Sequence, residues 1–67
     1  MRVPNLTIYD GKREVILDLN SGDHCKCIEI NYSDNGNCVE VTYDGLSGRR
    51  YLIFPMHSIS KIEWTDN

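Results

Sequence analysis

The 67-residue chain has no apolar run long enough to cross a membrane. A membrane-spanning helix needs about 20 consecutive apolar residues, whereas the longest run of large apolar side chains here is Tyr51–Phe54. The N-terminal stretch MRVPNLTIYDG also lacks the apolar core of a secretory signal peptide. We therefore expect a soluble protein of the cytoplasm.

Positive charge is scarce. Seven Lys and Arg residues stand against ten Asp and Glu residues, which gives a net charge of −3 and a pI near 5.1. A protein whose main partner is a phosphate backbone usually carries the opposite sign. The composition therefore disfavours general nucleic-acid binding.

The chain is also too short for a deep catalytic cleft, because a domain of this size buries only about 60% of the surface that its unfolded form exposes. We predict a single domain that is not an enzyme and needs no cofactor. Apolar burial and conformational entropy nearly cancel in so small a domain. A partner would add stability, so we expect a homo-oligomer or a complex with another protein.

A disulfide framework is not indicated, because the cysteines are odd in number: Cys25, Cys27 and Cys38. The segment His24-Cys25-Lys26-Cys27 suggests zinc, but the predicted hairpin separates Cys27 from Cys38 by about 20 Å at about 3.3 Å per residue. We predict reduced thiols and no metal. The alternatives are a metal site of Cys25 and Cys27 completed by His57 or by a symmetry-related chain, and a cysteine nucleophile, Cys25 or Cys27, activated by His57.

No window shows a 3.6-residue apolar stripe, and the dominant period is two. β-branched and aromatic residues recur in short runs separated by Gly-containing turns, which predicts an all-β chain. The predicted strands are Leu6–Tyr9, Glu14–Leu19, Lys26–Tyr32, Cys38–Tyr43, Arg50–Phe54 and Lys61–Trp64. One helical turn is expected at Met56–Ile59, after Pro55.

The pair Asn35-Gly36 predicts a two-residue hairpin turn, since Asn-Gly tolerates positive φ at both central positions. This turn sets the pairs Ser33–Cys38, Tyr32–Val39, Ile30–Val41 and Ile28–Tyr43. The large apolar residues then share one face and form the core. The other face is polar and acidic and carries Glu29, Glu40 and Asp44.

Two further turns are predicted. A four-residue loop, Asp10 to Arg13, pairs Ile8 with Val15 and Leu6 with Leu17. A Gly-rich turn at residues 44–48 leads into a strand with four consecutive large apolar residues and no polar face. Such a strand is expected to be covered on both sides, so the self-association residues are predicted to be Tyr51, Leu52, Ile53 and Phe54.

Six short antiparallel strands at this size favour closure into a small five- or six-stranded barrel, because closure removes exposed edges. The segment VILDLNSGD at residues 15–23 resembles the first strand and turn of Sm-like barrels, and YLIFPMHSISKI at residues 51–62 is similar to their strand, helical turn and closing strand. The resemblance, Sm-like or more broadly SH3-like, covers residues 14–64. It implies a barrel fold and, in the bacterial RNA chaperones of the family, uridine contacts in which His57 would take part.

The expected function is a non-enzymatic binding module that acts through protein–protein contacts, for example a small regulator or inhibitor. Complementary charge would steer a basic partner onto the acidic face, while paired guanidinium groups would grip a carboxylate or phosphate. The candidate binding residues are Arg49, Arg50, His57, Glu29, Glu40 and Asp44. The alternative is an Sm-like oligomer that binds RNA around a pore lined by His57 and the two arginines.

Overall fold

The computed structural model describes residues 1–18 and 25–65, which form six β-strands and two short 3₁₀ turns. The strands are β1 (Asn5–Tyr9), β2 (Glu14–Asp18), β3 (Lys26–Ser33), β4 (Cys38–Gly45), β5 (Gly48–Pro55) and β6 (Lys61–Trp64), and the 3₁₀ turns are Asp34–Gly36 and Met56–Ser58. The predicted all-β chain is confirmed, and the predicted helical turn at Met56–Ile59 is the 3₁₀ turn Met56–Ser58. The 3₁₀ turn at Asp34–Gly36 was not predicted, and Leu19, the predicted end of β2, lies outside the described residues. In the described ranges no helix is long and apolar enough to cross a membrane.

The strands form two antiparallel three-stranded sheets. The first sheet has the order β2-β1-β6, and the second has the order β3-β4-β5. The predicted first hairpin is confirmed, since Ile8 pairs with Val15 and Leu6 with Leu17. Neither sheet closes on itself within the described residues, so the predicted barrel closure is not confirmed.

The core lies between the two sheets. Leu6, Ile8 and Leu17 come from the first sheet, and Ile28, Ile30, Val39 and Val41 come from the second, with Val3 and Cys25 beside them. Because side chains alternate along a strand, each sheet offers one apolar face to this layer. Tyr43, Leu52, Phe54, Met56, Ile59 and Ile62 surround it and are partly buried.

Asn35 and Gly36 have the predicted positive φ, and Asp34 before them, with φ 52°, has it as well, so the left-handed stretch is one residue longer than predicted. Asn35 has φ 55° and Gly36 has φ 86°, and the Asn37 N–H donates to the Asp34 carbonyl over 3.0 Å. These values suit a hairpin turn whose twist matches that of the flanking strands. The register that follows is confirmed for Ser33–Cys38, Tyr32–Val39 and Ile30–Val41.

A β-bulge interrupts that hairpin and changes one predicted pair. The register shifts between Lys26, which pairs with Asp44, and Glu29, which pairs with Thr42. Two residues, Cys27 and Ile28, therefore oppose Tyr43, so the simple Ile28–Tyr43 pair was wrong. Cys27 has φ 55°, a left-handed conformation that accommodates the extra residue.

Tyr32 was wrongly predicted to lie in the core. Its side chain faces the same way as that of Val39, yet the residue is 58% exposed. Tyr32 lies on an edge strand close to the hairpin tip, two residues beyond Ile30, where the pairing with the N-terminal segment ends. Val39, opposite Tyr32 on the central strand, is fully buried, so the position of Tyr32 at the edge of the sheet, and not its register, leaves it exposed.

The core placement of β3 predicts a large difference between neighbouring residues. Ile30 is 3% exposed and Asn31 points outward. Ile30→Ala should lower the free energy of unfolding by about 2–5 kcal/mol, whereas Asn31→Ala should change it by less than about 0.5 kcal/mol. Urea unfolding measures both, and equal losses would contradict the register.

The bulge predicts an unusual order of stabilities at Cys27. A left-handed conformation costs about 1–2 kcal/mol for a residue with a Cβ atom, so Cys27→Gly should be at least as stable as the native chain. Cys27→Val should be less stable than Cys27→Gly by about 1–2 kcal/mol, because β-branching adds strain there. Cys38, on the same hairpin without positive φ, is the matched control: Val should be the better substitute at that position.

Candidate functional site

The candidate residues converge mainly on the outer face of the second sheet. Residues directly opposite each other in antiparallel strands share a face. Glu29, Thr42 and Tyr51 therefore form one row across the sheet, and Asn31, Glu40 and Ile53 form the next. The part of this face on β4 and β5, called the outer patch below, consists of Glu40, Thr42, Asp44, Arg49, Tyr51 and Ile53.

The outer patch contains two exposed large apolar side chains. Tyr51 is 70% exposed and Ile53 is 63% exposed, whereas Leu52 and Phe54 pack against the core. Within the described part of the chain, one face of β5 is covered and the other is bare. Cover of the second face by self-association stays a prediction. Sequence reasoning missed the patch because it considered β3 and β4 alone, and β5 adds the apolar residues to their polar face.

Ion pairs neutralise much of the predicted acidic face. The Arg2 guanidinium (Nη2) lies 3.3 Å from Glu29 Oε1, and Arg49 Nε lies 3.1 Å from Asp44 Oδ1. Glu40 makes no ion pair with any described residue. The face is therefore nearly balanced in charge and retains one carboxylate, that of Glu40, next to Ile53.

Arg49 and Arg50 lie on opposite faces of β5 and do not act as a pair. Arg49 is opposite Asp44 on the outer face, while Arg50 is opposite Tyr43 at the rim of the inner face. His57, in the 3₁₀ turn beyond β5, is exposed. Eight residues separate His57 from Arg49, about 25 Å at about 3.3 Å per residue, so one chain does not bring these candidates together.

The structure places Cys38 and His57 along one shallow groove at the hairpin end, together with Asp34, Asn37 and Met56. The predicted alternatives had paired His57 with Cys25 or Cys27 instead. Activation of a thiol needs an imidazole within hydrogen-bond reach. No hydrogen bond joins Cys38 and His57 in the described structure, and the groove is open to solvent, so this geometry provides no activated nucleophile.

The cysteines are dispersed over the fold. Cys25 is in the core, Cys27 is in the bulge, and Cys38 is at the start of β4; all three are free thiols. Within residues 1–18 and 25–65, no group of three or more His, Cys, Asp or Glu side chains could hold a metal ion. His24 lies outside the described residues.

A second groove runs between β2 and β5, whose facing edges are not paired with each other. Val15 lines it from β2, and Asp10 and Arg13 of the first hairpin loop also line it. The lining residues from β5 are Leu52, Ile53, Phe54 and Pro55. Hydrogen bonds from the backbone N–H groups of Lys12 and Arg13, at 3.2 and 3.1 Å, lower the pKa of Asp10, and the Arg13 side chain contributes further. This carboxylate organises the loop that borders the groove.

The Asp10 interactions predict a defined pH dependence. Because the folded-state pKa lies below the ordinary value of 3.8, ionised Asp10 stabilises the fold above that value, and the contribution is lost as pH falls through the folded-state pKa. An NMR titration should place the Asp10 midpoint below 3.8. Asp10→Asn should reduce the loss of stability between pH 5 and pH 2; an unchanged pH profile would contradict the assignment.

Comparison of the chain with protein-family models, with curated proteins and with solved structures finds no match. No similar protein therefore indicates a function for this chain. The function of this chain is inferred from its own surface, and the outer patch is the candidate site.

Proposed function

We propose that the chain is a non-enzymatic binding module that acts through protein–protein contacts made by the outer patch. The observation that carries the proposal is the pair of exposed apolar side chains, Tyr51 and Ile53, side by side on one face. Exposed apolar surface rimmed by polar groups is typical of interaction sites.

The composition of the patch resembles that of a binding hot spot. Tyr is enriched among the residues that dominate binding energy, and such residues are surrounded by polar contacts that exclude water. Here Thr42 and the Asp44–Arg49 ion pair border Tyr51, and Glu40 borders Ile53. A partner would bury the apolar pair at the centre and leave the charges at the rim.

The patch is also held rigidly before any partner arrives. Tyr51 and Ile53 alternate with Leu52 and Phe54, which pack on the core, and β5 is paired along its whole length with β4. Val39 and Val41 of β4 are fully buried beneath it. Because the backbone of the patch is already ordered, binding loses little further conformational entropy there, and this favours affinity.

The chemistry of the patch indicates its partner. Glu40 is the carboxylate of this surface that lacks an ion pair with any described residue, and it lies next to Ile53 on the neighbouring strand. A partner surface with an apolar centre and one Lys or Arg side chain at its edge would match both features. Such a partner could be the target of a small regulator or inhibitor.

RNA binding by an Sm-like oligomer is the second function that we propose. Arg50 makes no ion pair with a described residue, and His57 is exposed. Both groups would contact a nucleic acid only if several subunits brought them together in a ring. The net charge of −3 opposes this function.

The outer patch can be tested with a matched pair of isoleucines. Ile53 and Ile16 are 63% and 61% exposed, and both are on edge strands, but Ile16 lies outside the patch on the first sheet. A photoreactive amino acid at position 53, in the cells that produce the protein, should cross-link one protein partner that position 16 does not. With that partner purified, Tyr51→Ala should weaken binding by about 30-fold, a loss of about 2 kcal/mol, and Ile16→Ala should leave it unchanged.

Two results would contradict the proposal. Identical cross-linked species from positions 53 and 16 would mean that the patch is not a specific site. Retention of oligouridine at low salt, lost in Arg50→Ala and in His57→Ala, would favour the RNA-binding oligomer.

A further inference from the structure

The two edges of the second sheet differ in whether another segment of the chain pairs with them. The β3 edge is covered by the N-terminal residues: the Val3 N–H donates to the Ile28 carbonyl over 3.0 Å, and the Ile30 N–H donates to the Met1 carbonyl over 2.8 Å. The β5 edge has no such cover in the part of the chain that the structure describes. An uncovered edge is a template for pairing with another strand.

The hydrogen-bond pattern shows which backbone N–H and C=O groups of β5 are not bonded to β4. The Met56 N–H donates to the Asn37 carbonyl over 2.7 Å in the register that continues the β4–β5 pairing. Antiparallel pairs alternate between those that exchange hydrogen bonds and those that do not. The backbone groups of Leu52 and Phe54 therefore bond to β4. The N–H and C=O groups of Tyr51 and Ile53 lie in the plane of the sheet and point outward from its β5 edge.

Both ends of the β5 edge carry residues that disfavour strand pairing, and the middle does not. Two arginines, Arg49 and Arg50, lie at one end, and Pro55, which has no N–H, lies at the other. Charged residues and proline are the usual means of blocking edge pairing. The open window between them is Tyr51–Phe54, where every side chain is apolar.

We infer that β5 pairs edge to edge with β5 of a second copy of this chain, antiparallel and about a two-fold axis, with Tyr51 opposite the partner's Ile53. The inference rests on the proposed function in that it names a partner for the same strand. The two sheets would join into one six-stranded sheet. On its outer face Tyr51 and Ile53 of both copies would form a single apolar cluster, which doubles the apolar centre of the outer patch.

Charge and backbone chemistry select this register. Moving the partner strand by four residues, so that Tyr51 faces the partner's Arg49, would place Arg50 opposite the partner's Arg50, and like charges directly opposite are unfavourable. Moving it by two residues the other way would place Tyr51, in the open window, opposite the partner's Pro55, which has no N–H to donate. In the inferred register Pro55 faces only Arg49, at the end of the contact. With Tyr51 opposite the partner's Tyr51, Arg49 would face the partner's Ile53, and one apolar pair, that of the two Tyr51 residues, would remain on the outer face instead of two.

The β2 edge, which no described strand covers, is a poor candidate for the same pairing. Its outward residue Ile16 is flanked by Glu14 and Asp18. If two β2 strands paired about Ile16, Glu14 of each copy would face Asp18 of the other, which brings acidic side chains together. The symmetric contact therefore belongs to β5, whose central window carries no charge.

The first experiment compares two substitutions of one residue by sedimentation or light scattering over a concentration series. The native chain should reach twice its 7.7 kDa mass. Tyr51→Ala keeps the outward N–H and should still form a dimer, although more weakly. Tyr51→Pro removes that N–H without touching the β4 ladder and should stay monomeric, with circular dichroism confirming that it is folded.

Amide hydrogen exchange on the native chain tests the same contact without substitution. Protection of the Tyr51 and Ile53 amides should rise by at least about tenfold between dilute and concentrated protein, since their N–H groups become bonded on association. The Leu52 amide, already bonded to β4, and the Ile16 amide, on the other edge, are the internal controls and should not change.

The register is tested by mixing Tyr51→Cys with Ile53→Cys. Opposite residues in a bonded antiparallel pair have Cα atoms about 5.5 Å apart, within the range of a disulfide. The mixture should form a disulfide-linked dimer under mild oxidation, and neither variant alone should do so beyond the level of the native chain.

Several outcomes would overturn the inference. A monomeric native chain at all concentrations would exclude self-pairing, while cross-linking of a different protein at position 53 would still support the proposed function. A closed ring of more than two subunits would exclude a two-fold contact. Equal dimerisation of Tyr51→Pro and Tyr51→Ala would exclude the β5 edge as the contact. Unchanged hydrogen exchange at Tyr51 and Ile53 would exclude it as well. If these amides gained protection only when another protein was added, the strand that pairs with β5 would belong to that protein and not to a second copy of this chain.

Discussion

The pairing of β5 with β4 is the interaction on which the surface of this protein depends. It aligns Leu52 with Val41 and Phe54 with Val39, so these residues cover one side of the core. The same alternation puts Tyr51 and Ile53 on the other side, beside Thr42 and Glu40. A strand with apolar residues at consecutive positions cannot hide all of them in a two-layer fold. The exposed pair is therefore a direct consequence of the register that completes the core.

The two-sheet arrangement also decides which strand edges are satisfied. The N-terminal residues pair with β3 and bring Arg2 next to Glu29, so one edge is covered and one acidic side chain is neutralised by the same segment. The edges of β2 and β5 face a groove and are not joined to each other. In a domain this small, little core remains to offset exposed edges. An apolar edge without cover is then the natural place for association, and the rigid outer patch lies on the same strand.

Local features of the fold were accessible from the sequence because their causes are local. The Asn35-Gly36 turn adopts positive φ by its own conformational preference, and the Asp10 carboxylate organises its loop through backbone N–H groups two and three residues ahead. Both turns set the registers that follow them. The bulge at Cys27 was not predictable in this way, because Cys has no preference for left-handed φ and the extra residue is imposed by the pairing around it.

The sequence by itself determined the strands, the turns and most residues of the core, since period-two alternation and turn chemistry act within a few residues. Only the tertiary structure decided what becomes of the candidate site. Arg49 and Arg50 are neighbours in the chain but lie on opposite faces, and Glu29 and Asp44 look acidic in sequence but are neutralised by arginines from elsewhere. Tyr32 alternates correctly for the core yet remains exposed, because it lies on the edge strand near the hairpin tip, while Val39 opposite it on the central strand is fully buried. Exposure and charge balance depend on which strands meet across the fold, and no local preference encodes that.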